Sequence, residues 1–242
     1  LLFAISGVVF AALGLVSAPY GRHERRGWGP GIPERLGWVI MEAPASLFFA
    51  WVYFQGPRAW DAVPLVMLVL WQVHYVQRTF VYPLMMRSRP GRRMPVFVML
   101  MAMVFNALNA YLNARWLTAL GPEYGLRWLL SFRFLYGLLV FCTGYVINRW
   151  ADAKLRSLRK PGETGYSIPS GGLYDVISCP NYFGELLQWV GWAILTWSPG
   201  GLAFAVFTAA NLVPRAVSHH RWYQRTFPEY PRRRTAIIPH LL

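Results

Sequence analysis

The chain has 242 residues, 55% of them hydrophobic and only 14% charged, yet 24 Lys and Arg against 10 Asp and Glu give a formal net charge of +14. A soluble domain carries about 25% charged residues, so this balance excludes an ordinary soluble enzyme, and the apolar content excludes a disordered chain. Apolar runs of membrane length alternate with arginine-rich connectors, which reads as topology signalling rather than nucleic-acid binding.

A helix crosses the hydrocarbon core with about 20 apolar residues. Seven runs qualify as spans: 1–17, 38–55, 62–86, 94–118, 126–147, 181–198 and 200–218. The first resembles a signal-peptide core but lacks a charged n-region, so it is read as a span. Lys and Arg number 4, 1, 4, 2, 5 and 0 in the successive connectors and 6 in the tail. That alternation predicts an all-α polytopic membrane protein with the N-terminus outside and the C-terminus cytosolic. One domain is expected over 1–242. Residues 1–125 would mainly form a substrate pocket and 126–242 mainly bind a cofactor. Cys142 and Cys179 show no metal-ligand spacing, and neither a disulfide nor a metal site is expected.

Polar groups inside the spans carry the chemistry, because each is costly to bury in lipid. Glu42 lies in span two beside Pro44, which disrupts the local helix ladder. It either caps the freed groups or pairs with an arginine, or it serves as a buried acid in a pocket. In span three, Tyr75, Arg78, Thr79 and Tyr82 share one helical face. They line the bundle interior, or Arg78 and Tyr82 snorkel in an interfacial belt. Asn106, Asn109 and Asn113 share a face of span four, as helix–helix glue or as ligand contacts.

After span five, Asn148, Asp152, Arg156 and Arg159 form one stripe of a helix leaving the membrane. A solvated face is the bland reading. An amide, an acid and two arginines in line also suit a phosphate-bearing, hydroxyl-rich ligand, because guanidinium matches phosphate with two parallel donors. The loop Pro161-Gly162-Glu163-Thr164-Gly165 has no GxGxxG pattern, and no strand precedes it, so a Rossmann fingerprint is absent. Asn181, Glu185 and Gln188 share a face of span six, and Arg215, His219 and Tyr223 share one in the tail. The last set suits an anion or cofactor better than zinc, since His219 and His220 have no third ligand in view.

These stretches resemble the steroid 5α-reductase family (3-oxo-5α-steroid 4-dehydrogenases). The matching residues are His74-Tyr75 with Arg78-Thr79-Phe80-Val81-Tyr82, Leu155 through Glu163, Tyr166 through Leu173, Asn181-Tyr182-Phe183-Gly184-Glu185, Arg215 through Tyr223, and Ala236-Ile237-Ile238-Pro239. The resemblance implies a seven-helix membrane reductase that uses NADPH on 3-oxo-Δ4 steroids. It implies that Glu42 and Tyr75 engage the C3 ketone. It also implies that Arg78, Tyr82, Asn148, Asp152, Arg156, Arg159, Asn181, Glu185, Arg215, His219 and Tyr223 bind the cofactor. Met41 stands where the family commonly has Gln. A monomer is expected, taking an apolar steroid from the bilayer. It would sit in the inner membrane of a bacterium or the endoplasmic reticulum of a eukaryote. A membrane methyltransferase using S-adenosylmethionine resembles the Asn181–Tyr223 stretch, but it has no need of a deep acid–phenol pair. A lipid carrier would show paired broken helices and inverted repeats, and none is evident.

Overall fold

The computed structural model describes residues 2–15, 29–87, 91–158 and 165–242. Seven long helices run through these residues: α1 (Leu2–Leu15), α2 (Glu34–Tyr53), α3 (62–85), α4 (Val96–Leu120), α5 (Phe132–Ser157), α6 (Pro180–Thr196) and α7 (Pro199–Thr226). By length and composition α2, α4 and α7 can each cross a membrane. The predicted span at 126–147 begins six residues later as helix, because Leu126–Leu130 forms a 3₁₀ turn and the Ser131 hydroxyl accepts from the Phe134 amide. The same helix continues to Ser157, so Asn148, Asp152 and Arg156 lie on α5 itself.

Helices α2, α3 and α4 each contain one π-helical turn: Pro44–Phe48, Gln77–Val81 and Trp116–Leu120. Proline accounts for two of them. Pro44 opens its π turn, and Pro83 offers no N–H to the carbonyl of Thr79, inside the π turn before it. The third closes where the Gly121 amide donates to the Trp116 carbonyl, five residues back.

The helices fall into two compact units. One comprises Pro19–Leu135 with Thr196–Gly201, and therefore α2, α3 and α4. The other comprises Leu1–Ala18, Tyr136–Leu195 and Leu202–Leu242. The division does not follow chain order, since α1 groups with the C-terminal helices.

Side-chain contacts fix the directions of the first unit. Asn106 reaches Met41 and Glu42, and Arg58 reaches the Thr118 carbonyl, so α4 runs parallel to α2. Thr79 reaches Glu42, while Gln72 reaches Ser46 and Trp71 reaches Ala45, so α3 runs antiparallel. At one end β1 (Gly31–Pro33) pairs antiparallel with β2 (Arg93–Pro95), and Arg92 Nε lies 3.1 Å from Glu34 Oε1. This brings together the starts of α2 and α4, each preceded by an arginine-rich connector.

In the second unit α5 and α6 pack at backbone distance. A Cβ on Gly144 would lie 2.3 Å from the Gln188 nitrogen, and one on Gly184 would lie 2.5 Å from the Asn148 nitrogen. Gly137 and Gly191 repeat the arrangement seven residues away on each helix. The tail is tied to the segment before α6 by a parallel bridge, Ile177 to Thr235, with Cys179 N donating to the Ala236 carbonyl. Ile237 is fully buried in a cluster with Cys179, Ala216 and Ala236. Ser178 joins His220 and Tyr230 at 2.6 Å each, and burial pushes the Tyr230 phenol up, keeping it protonated.

Candidate active site

Within the first unit the polar residues of three helices meet at Glu42, which is buried. Arg78 Nε lies 3.5 Å from its Oε1, and Asn106 Nδ2 donates to Oε2 at 3.2 Å and to the Met41 carbonyl at 2.7 Å. Thr79 Oγ1 donates to the Glu42 carbonyl at 3.3 Å. In these two contacts the Glu42 carboxylate is the acceptor. Trp38 and Tyr82, with ring centroids 5.0 Å apart, flank the Arg78 guanidinium at 4.8 and 5.4 Å. Trp38 Nε1 also donates to the Arg78 carbonyl at 3.2 Å. The guanidinium is thus held by one carboxylate and two aromatic faces.

Tyr75 lies one turn before Arg78 and Thr79 on the same face of α3 and is buried. Its ring packs between Trp71 and His74, at centroid distances of 4.8 and 4.9 Å. The amide face of α4 divides. Asn106 belongs to the Glu42 cluster, whereas Asn113 Nδ2 donates to Asn109 Oδ1 at 3.0 Å.

The second unit holds the other predicted set. Asn148 Nδ2 donates to the Asn181 carbonyl at 2.9 Å, and Asn181 Nδ2 donates to Asp152 Oδ1 at 3.3 Å. Arg149 ties the group together, with Nη2 3.1 Å from Asp152 Oδ2 and Nε 3.1 Å from Asn148 Oδ1. On α7, His219 Nε2 lies 3.2 Å from the Tyr182 hydroxyl, and the Arg215 guanidinium sits 5.4 Å from the Tyr182 ring. Tyr223 is buried and stacks on Tyr230 at 5.2 Å. Glu185 is half-buried one turn after Asn181. Arg159 lies outside the described residues.

Among the described residues the buried Nη1 of Arg156 has no hydrogen-bond partner. A guanidinium with a buried donor to spare is chemically suited to a phosphate oxygen. No group of three His, Cys, Asp or Glu among the described residues can hold a metal.

Sequence reasoning missed Trp38, Arg149 and Tyr182. Arg149 carried a usable signal, its i, i+3 spacing to Asp152. Tyr182 sits beside Asn181 but on another face of the helix. Trp38 carried no signal in an apolar run, since it enters the cluster only through α3.

Residues 92–242 match the family model for 3-oxo-5-alpha-steroid 4-dehydrogenase. The chain is 41% identical over 241 residues to steroid 5-alpha-reductase DET2 of Gossypium hirsutum, covering 98% of this chain and 93% of that protein. It is 41% identical to 3-oxo-5-alpha-steroid 4-dehydrogenase 1 of Bos taurus, covering 99% and 93%. The corresponding human protein is 40% identical, covering 98% and 92%. The family model begins after Glu42 and Tyr75, whereas the whole-length relatives extend across both. The chain is a helical, membrane-type protein and belongs to the 3-oxo-5-alpha-steroid 4-dehydrogenase family of oxidoreductases.

Proposed function

We propose that this protein reduces the Δ4 double bond of a 3-oxo-Δ4 steroid to the 5α-reduced ketone, using NADPH. The observation that carries the reading is the convergence of Glu42, Arg78 and Asn106 one turn from the buried Tyr75, in a chain about 40% identical to enzymes named for this reaction. NADPH, when bound, supplies the hydride that adds to C5. That addition moves the C4=C5 electron pair towards C3 and puts negative charge on the C3 oxygen. Protonation at C4, from solvent, restores the ketone.

The chain's own residues answer that charge. A phenol aimed at the C3 oxygen is worth more in the transition state than in the ground state, and Tyr75 is that donor. Glu42 is proposed to act with Tyr75 at that ketone, and its carboxylate keeps Arg78 and Asn106 in place. In the second unit Asn148, Asp152, Asn181, Arg156, Arg215, His219 and Tyr223 would hold the cofactor, with Arg149 fixing Asn148 and Asp152. Arg159 and Glu185 complete that proposed set, and Arg78 and Tyr82 are proposed to border it. The N-terminal part of the chain serves the steroid and the C-terminal part the cofactor.

Seven spans with the N-terminus outside and the C-terminus cytosolic agree with the arginine alternation. The β1–β2 pairing supports it by joining the ends that follow two arginine-rich connectors. The steroid enters such a protein from the bilayer, and a monomer suffices.

The test is purified protein in lipid nanodiscs with a panel of 3-oxo-Δ4 steroids, following loss of NADPH absorbance and the configuration at C5. NADPH oxidation with a 5α product is expected. Thermal stabilisation by S-adenosylmethionine but not by NADPH, with no steroid reduced, would overturn the reading in favour of a methyltransferase.

A further inference from the structure

Asn109 is completely buried, and its side-chain Nδ2 has no hydrogen-bond partner among the described residues. Its orientation is fixed from the other side. Asn113 Nδ2 donates at 3.0 Å to both the backbone carbonyl and the Oδ1 of Asn109. A flipped Asn109 would set two NH₂ groups against each other, so the oxygen faces Asn113 and the donor is left over. A buried donor left unmade costs about 1–3 kcal/mol, and such groups call for an explanation.

Position supplies one. Asn109 follows Asn106 by three residues on the same face of α4, a rise of about 4.5 Å along the helix. Asn106 marks the depth of Met41 and Glu42. Tyr75 lies between Thr79, at the depth of Glu42, and Gln72, at the depth of Ser46. Tyr75 on α3 and Asn109 on α4 therefore sit at one depth, one turn beyond the Glu42 cluster. An enolate oxygen in this place needs donors, and the amide N–H of Asn109 is an unspent one.

We propose that Asn109 is a substrate-contacting residue whose side-chain N–H joins the Tyr75 hydroxyl as the second donor to the C3 oxygen. The proposal rests on the reductase reading above.

The test uses the full chain and two variants, Asn109→Leu, close in shape without the donor, and Asn109→Asp, which keeps the acceptor for Asn113. Turnover with NADPH and a 3-oxo-Δ4 steroid is measured, together with Tm. Affinity is measured for a steroid with a phenolic A ring, which presents an oxygen at C3, and for its 3-deoxy counterpart. The expected result is a fall in kcat of at least about tenfold, towards the 10²–10³ typical of a lost oxyanion donor. Tm of Asn109→Leu should be unchanged or raised, because the unpaired donor is gone. The affinity ratio of phenol to 3-deoxy steroid should fall at least tenfold in both variants, and that ratio does not depend on the fraction of protein folded. An unchanged ratio, or a lowered Tm with kcat near that of the parent, overturns the proposal. A parent protein that reduces no 3-oxo-Δ4 steroid overturns the reductase reading instead.

Discussion

At the scale of single residues, the buried polar side chains divide into those that contact each other and those with an atom left unpaired among the described residues. Tyr75→Phe removes one hydroxyl from a ring already held by Trp71 and His74. Turnover should fall at least about tenfold while NADPH affinity holds, since one oxyanion donor is worth 10²–10³. Near-normal turnover of purified Tyr75→Phe enzyme would remove Tyr75 from the chemistry. Arg156→Ala should act differently, because its buried Nη1 has no partner among the described residues and is proposed to meet the cofactor. KM for NADPH should rise about tenfold or more with kcat little changed, as loss of uniform binding does. A normal KM in steady-state assays would assign Arg156 to the solvated face instead. Glu42 and Tyr75 were legible in the sequence as expensive groups in apolar runs. Their neighbours were less so: that Glu42 would meet Arg78 and Asn106 depends on three helices in register, which no local pattern encodes.

At the scale of elements, the α5–α6 seam depends on four glycines, Gly137, Gly144, Gly184 and Gly191, that place backbone against backbone. Gly144→Val and Gly184→Val would drive carbons into the facing main chain and force the helices apart. Overpacking of this kind costs about 1–3 kcal/mol. Because Asn148 and Asn181 bond across the same seam, Tm and NADPH affinity should fall together. Gly14→Ala is the contrasting case. Nothing lies within 4 Å of the added carbon on α1, and Ala favours the helix by about 0.5–1 kcal/mol. Its Tm should hold or rise in the same thermal-melt assay. The seven helices were readable from apolar run length, and Pro44 was readable as a disruption. That α2, α3 and α4 each relax into a π turn was not, because a π turn is a response to packing as well as to a missing N–H.

At the scale of the whole molecule, the residues behind the net charge of +14 fall in two kinds of place. The arginines beside the β1–β2 pair flank helix ends, as topology signals do. Arg149 lies among Asp152, Asn148 and Tyr145, and Arg215 beside Asn211 and Tyr182. The tail is a structural part of the second unit: Arg234 is buried, donates to the Pro169 carbonyl at 2.9 Å and lies 5.1 Å from the Tyr230 ring. Deleting residues 232–242 removes this contact and the Thr235 bridge together. Detergent-solubilised protein so truncated should melt earlier and lose NADPH binding. Unchanged binding would make the tail dispensable.

The sequence by itself determined the class of molecule. Long apolar runs must satisfy their backbone internally, so they become helices, and a charge placed inside one of them must answer for its desolvation. The tertiary structure alone decided which buried groups meet. Depth and rotation of each helix are set by packing across residues far apart in sequence, as when Asn106 reaches Glu42 and Tyr75 comes level with Asn109.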